Sequence, residues 1–81
     1  MSKIRFRINI PSLEKKIEVI MSKELTLKEN MELVFEMLGY RIETYILMPR
    51  HKAIALDLDI AIKDIGLLDG ASLYLYDFTN L

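Results

Sequence analysis

From Lys3 to Ile10 the chain alternates strictly: Ile4, Phe6, Ile8 and Ile10 fall on one side, Lys3, Arg5, Arg7 and Asn9 on the other. A period of two predicts a strand with one buried face. Pro11-Ser12 marks a turn. Alternation resumes over residues 15–21, with Ile17, Val19 and Met21 facing in. The short gap between the two runs predicts an antiparallel hairpin. The period then changes. Leu27, Met31, Val34, Phe35 and Leu38 form one stripe of an α-helix. Thr26-Leu27-Lys28-Glu29 fits a capping box, and Gly39 stands where a left-handed C-terminal cap belongs. These signals predict a helix over residues 26–38. Leu33 and Met37 lie off the stripe, four residues apart. They are expected to widen the buried face; exposed, they would form a second contact site or a dimer seam.

Tyr45 to Met48 is a short apolar run ended by Pro49, which predicts a third strand. The run does not fix its own phase, so either Ile46 or Leu47 faces out. Ala53 to Leu58 predicts a brief fourth strand, and Asp59 to Asp69 a loop holding a helical turn. Asp69-Gly70 is a turn signal. Ser72 to Phe78 predicts the last strand, with Leu73 and Leu75 in and Tyr74 and Tyr76 out. The expected architecture is a single α+β domain over residues 1–81 in the order β-β-α-β-β-β. One helix packs on one face of a mixed sheet. The first and last strands lie side by side and parallel at its centre, and the other face is open to solvent.

Composition narrows the function. Eighty-one residues, 52% of them hydrophobic, suit one compact domain and not a disordered chain. Eleven Lys and Arg against 12 Asp and Glu leave a net charge of −1. That balance gives no bulk pull toward nucleic acid or anionic lipid. Without cysteine there is no disulfide, thiolate metal site or thiol catalysis, and a reducing compartment is favoured. No apolar run approaches the roughly 20 residues of a membrane span, and Lys3, Arg5 and Arg7 interrupt what would be a signal peptide. A soluble cytoplasmic protein is expected, with no membrane partner. His51, the single histidine, reads as an exposed turn residue beside Pro49 and Arg50. Asp57, Asp59, Asp64 and Asp69 do not follow calcium-loop spacing and read as turn and cap residues. With no glycine-rich phosphate loop either, neither a cofactor nor an enzymatic activity is expected.

The stretch Ile62-Lys63-Asp64-Ile65-Gly66-Leu67-Leu68-Asp69-Gly70-Ala71-Ser72-Leu73-Tyr74-Leu75 resembles the segment that enters the last strand of ubiquitin-like proteins. Ile62, Asp64, Leu67, Leu73 and Leu75 fill its places. Each has a physical use: Ile62 and Leu67 plug the bottom of the core, Asp64 caps a short turn, and Gly70 tolerates left-handed geometry. The resemblance implies a β-grasp, ubiquitin-like roll. Size and ending are similar to the small bacterial YukD-like proteins associated with type VII secretion, which implies a cytosolic accessory or regulatory factor. The chain finishes Asp77-Phe78-Thr79-Asn80-Leu81, where conjugated relatives and sulfur carriers finish in a flexible diglycine tail. A chain ending so is expected not to be activated, conjugated or thiocarboxylated. The alternative is a carrier or modifier whose C-terminus is processed.

Charge is unevenly spread. Residues 1–16 hold Lys3, Arg5, Arg7, Lys15 and Lys16 against Glu14, while Asp57, Asp59, Asp64, Asp69 and Asp77 outweigh Lys63 after residue 56. Tyr74 and Tyr76 are expected beside Arg5 and Arg7, where guanidinium–ring stacking would add about 0.5–1 kcal/mol. Tyr and Arg carry interface energy, so a protein-binding face of Arg5, Arg7, Tyr74, Tyr76 and Ile46 or Leu47 is favoured. A plain solvated face with cross-strand charge pairs and an RNA-binding sheet are the alternatives. In ubiquitin this outer face holds the apolar recognition patch, and the resemblance places Tyr74 and Tyr76 at its last-strand positions. The small aliphatic residue found there in ubiquitin is missing.

Overall fold

The computed structural model describes residues 2–79. Asn80 and Leu81, the end of the C-terminal sequence singled out above, lie outside the described residues. The first alternating run forms β1 (Lys3–Ile10) and the second forms β2 (Lys15–Ser22). A 3-10 turn over Pro11–Leu13 joins them, and Glu14 closes it at φ 52°. The helix α1 spans Leu27–Leu38. Thr26 and Glu29 cap it reciprocally: the Thr26 Oγ1 accepts from the Glu29 N–H at 3.0 Å, and the Glu29 Oε1 accepts from the Thr26 N–H at 3.0 Å. Gly39 ends the helix in the left-handed region, φ 71°. The third strand, β3, is Tyr45–Pro49 and the last, β4, is Ala71–Asp77.

The sheet order is β2-β1-β4-β3. β1 pairs antiparallel with β2 and parallel with β4, and β3 pairs antiparallel with β4. The two ends of the chain thus share the centre of the sheet, as the alternation predicted. Inward residues of all four strands meet α1 in one core: Phe6, Ile8, Met21, Leu47, Leu73 and Leu75 bury against Leu27, Met31, Val34 and Phe35. Ile62 closes one end, from the short 3-10 turn Ile62–Asp64.

Four expectations need correction. Ala53–Leu58 is not a strand. It contributes one backbone bond to the sheet, from the Leu56 N–H to the Leu47 carbonyl at 2.8 Å, and only Leu56 and Leu58 pack on the core. Leu38, the last residue of α1 before the Gly39 cap, is exposed and does not extend the buried stripe. Leu33 and Met37 are exposed as well, so they do not widen the buried face. Asp64 does not cap its turn, which has no side-chain cap.

One buried polar residue ties the helix to the sheet. Asn30 is the core's buried amide. Its Oδ1 accepts from the Ser22 N–H at 2.9 Å, and its Nδ2 donates to the carbonyls of Ser22 at 3.0 Å and Thr26 at 2.9 Å. It satisfies backbone groups where β2 turns into the helix, which water cannot reach easily. Asn30→Ala would orphan the Ser22 N–H and take one of the donors from the Ser22 and Thr26 carbonyls. It is expected to lower the unfolding free energy by about 2 kcal/mol, measured by urea denaturation. A loss below about 0.5 kcal/mol, the range of an ordinary surface change, would show that the amide is not a fastening.

Candidate binding face

The sheet face away from α1 is covered by no element among the described residues. Period-two geometry sends Arg5, Arg7 and Asn9 of β1, Tyr74 and Tyr76 of β4, and Ile46 and Met48 of β3 onto it. Leu47 pairs with Leu75 and is fully buried. That settles the phase of β3: Ile46 faces out, and Leu47 is a core residue that leaves the binding set. Met48 enters it. The apolar run gave no polar position from which to read the phase, so Met48 was missed; Leu47 in place, it follows from Ile46 by spacing.

Tyr76 sits opposite Ile46 and Tyr74 opposite Met48. The two tyrosine rings stack with centroids 6.4 Å apart and 16° between planes. The four side chains make a continuous apolar and aromatic strip along the β3–β4 side.

The arginines are placed differently from expectation. The parallel register sets Arg7 beside Ser72 and Asn9 beside Tyr74, which shifts the arginines along the sheet from the tyrosines. Neither guanidinium stacks on Tyr74 or Tyr76 in the expected way; each turns to a carboxylate. Arg7 Nε lies 3.3 Å from Glu18 Oε1, and Arg5 Nη2 lies 3.8 Å from Asp69 Oδ2. Exposed pairs of this kind add little stability; they fix where the guanidinium points. Arg5 is held further by its backbone, since its N–H donates to Asp69 Oδ1 at 2.8 Å and its carbonyl accepts from the Gly70 N–H at 2.7 Å. Arg7 still reaches the strip's edge. With Lys16, Arg50 and Tyr74 it lines a shallow hollow of about 160 Å³ that no acidic residue lines.

Comparisons with known proteins bear on the fold beneath this face. No protein-family model matches the chain, and no curated protein matches it in sequence. Solved structures do. A de novo protein designed on ubiquitin superposes with a TM-score of 0.75 at 16% identity, over 99% of this chain and 94% of that one. Ubiquitin of Caldiarchaeum subterraneum gives 0.74 at 18% identity, over 95% of each.

The fold is a ubiquitin-like β-grasp.

A further β-grasp neighbour lies in protomer 1 of the ESX-3 core complex, with a TM-score of 0.67 and 25% identity over 90% of this chain and 15% of that one.

On this β-grasp the candidate chemistry resolves into structure. His51 is an exposed turn residue after β3. Asp57 Oδ1 accepts from the Asp59 N–H at 2.9 Å, a turn contact. The titratable group that burial moves is Tyr45, at the start of β3. Its ring meets Phe35 edge-on, centroids 5.2 Å apart at 87°. Its hydroxyl is buried with no hydrogen-bond partner. Desolvation, with a smaller contribution from Glu32, pushes its pKa from 10.0 up to about 12. The fold therefore favours the neutral phenol. That preference is complete below the ordinary value of 10.0 and is lost as pH rises through about 12. Tyr45→Phe keeps the ring pair and removes the unpaired hydroxyl. It is expected to leave neutral-pH stability unchanged or raised by up to about 1 kcal/mol. It should also delete the latest-titrating component of the phenolate absorbance. An unchanged absorbance titration would contradict this assignment.

Proposed function

We propose that this chain is a protein-binding β-grasp module that catalyses no reaction, and that its partners belong to a bacterial type VII secretion system. In this reading it is a cytosolic, non-conjugating accessory or regulatory factor. The observation that carries the binding role is the strip of Ile46, Met48, Tyr74 and Tyr76 on the uncovered sheet face. Aromatic residues, Met and Arg are the types enriched where protein interfaces are buried. The hollow of Arg7, Lys16 and Arg50 beside Tyr74 adds a place for an acidic side chain of the partner. Arg5, bound to Asp69, has a lesser part in this face than Arg7.

Support for the secretion assignment is narrower. It comes from the resemblance to YukD-like proteins and from the β-grasp neighbour in the ESX-3 core complex. In that neighbour the matched stretch is 15% of a larger chain.

A photocrosslinking residue in place of Tyr76, introduced in cells, tests both parts. It is expected to capture components of the secretion machinery, whereas the same residue in place of Lys28 on α1 is not. Adding Ile46→Ala with Tyr74→Ala is expected to weaken capture by about tenfold or more, the loss of one interface anchor. Crosslinks to other proteins only would remove the secretion assignment and keep the face. Equal capture from both positions would remove the face.

A further inference from the structure

Two exposed surfaces outside the sheet face carry apolar groups with opposite charge. The first is the outer side of α1. Leu33 and Met37 are exposed, Met37 by 81%, and four-residue spacing puts them on one line. Glu29, Glu32 and Glu36 run along the same side, all exposed. Glu29 caps the helix, but the two glutamates beyond it do not serve it. Glu32 and Glu36 repel at i,i+4, and the last turn holds no basic residue to offset the negative end of the helix dipole.

The second surface is a groove of about 620 Å³ where the loop after β3 faces the loop before β4. Ile54, Leu56, Leu67 and Leu68 form its apolar lining, with Leu68 79% exposed. Arg50, His51 and Lys52 stand in a row on one rim, and no acidic residue lines it. Neither Arg50 nor Lys52 has an ion-pair partner among the described residues.

We propose that the groove receives the outer face of α1 from a second copy of this chain. Leu33 and Met37 would enter as i,i+4 anchors, the way an amphipathic helix seats in an apolar groove. Glu32 and Glu36 would lie over Arg50 and Lys52. The two surfaces share no residue, so the contact is head-to-tail. In a pair of copies one keeps its groove free and the other its helix face, so further copies can add and the assembly grows. The outer sheet strip plays no part in the contact, but Arg50 lines both the groove and the hollow beside Tyr74, so the helix variant Glu32→Lys with Glu36→Lys is the one that separates this association from the proposed partner binding.

Sedimentation velocity on the purified chain, from micromolar to millimolar concentration, tests the proposal. The weight-average mass is expected to rise above the 9.5 kDa monomer and to fall back when salt screens the charges. Arg50→Glu with Lys52→Glu, and separately Glu32→Lys with Glu36→Lys, should each abolish the rise while leaving the circular dichroism unchanged, since all four side chains are exposed. Mixing the two variants restores an acidic helix opposite a basic groove, and the mixture is expected to associate. A wild-type chain that stays monomeric throughout overturns the proposal and leaves the groove to an acidic amphipathic helix of another protein. Variants that still self-associate, or a mixture that stays monomeric, overturn it equally.

Discussion

The register of β1 against β4 is the constraint on which the other features depend. These strands come from opposite ends of the chain and pair in parallel at the centre of the sheet, Phe6 with Ala71 through Asn9 with Tyr74. A shift of one residue would turn every inward side chain of a strand to solvent. Even-numbered slips keep the faces, so hydrophobic burial alone does not exclude them. Polar contacts at both ends of the pairing do. The Gly70 N–H and the Asp69 carboxylate hold the backbone of Arg5, and the Asn9 amide donates to the Leu73 carbonyl at 3.2 Å. Gly70 reaches this contact at φ 83°, a region that favours glycine. The same register decides which outward groups become neighbours, and hence the chemistry of the open face.

The local parts of this design are legible in the sequence. Alternation in β1 and β4, the stripe and both caps of α1, and the Asp69-Gly70 turn are each encoded within a few residues. What was not legible depends on partners far along the chain. The phase of Tyr45–Pro49 is set by Leu47 meeting Leu75. The distance between the arginines and the tyrosines is set by the β1–β4 register, about 64 residues apart along the chain at the Arg5–Asp69 contact. Ala53–Leu58 has strand-like composition, yet β3 offers it one hydrogen bond instead of a ladder. Asn30 stands inside a helical stripe as a polar residue, and the end of β2 supplies two of its amide's partners from outside the helix.

The core and the open face are chemically separate. Everything that binds α1 to the sheet lies on one side, through Phe6, Leu47, Leu73, Leu75 and the Asn30 amide. The strip of Ile46, Met48, Tyr74 and Tyr76 lies on the other, and its residues alternate with core residues along the same two strands. Such an arrangement lets an outer side chain change without disturbing the packing beneath it, which is the physical condition for a fold to serve as a recognition surface.

An alanine scan through Tyr45–Pro49 and Ala71–Asp77, read for both unfolding free energy and partner binding, tests this separation most directly. The expected result is two alternating patterns in opposite phase. Leu47, Leu73 and Leu75 should cost about 2–5 kcal/mol of stability each. Ile46, Met48, Tyr74 and Tyr76 should cost much less stability and carry the binding loss. Binding that is indifferent to those four outward residues, in variants that remain folded, would contradict the account.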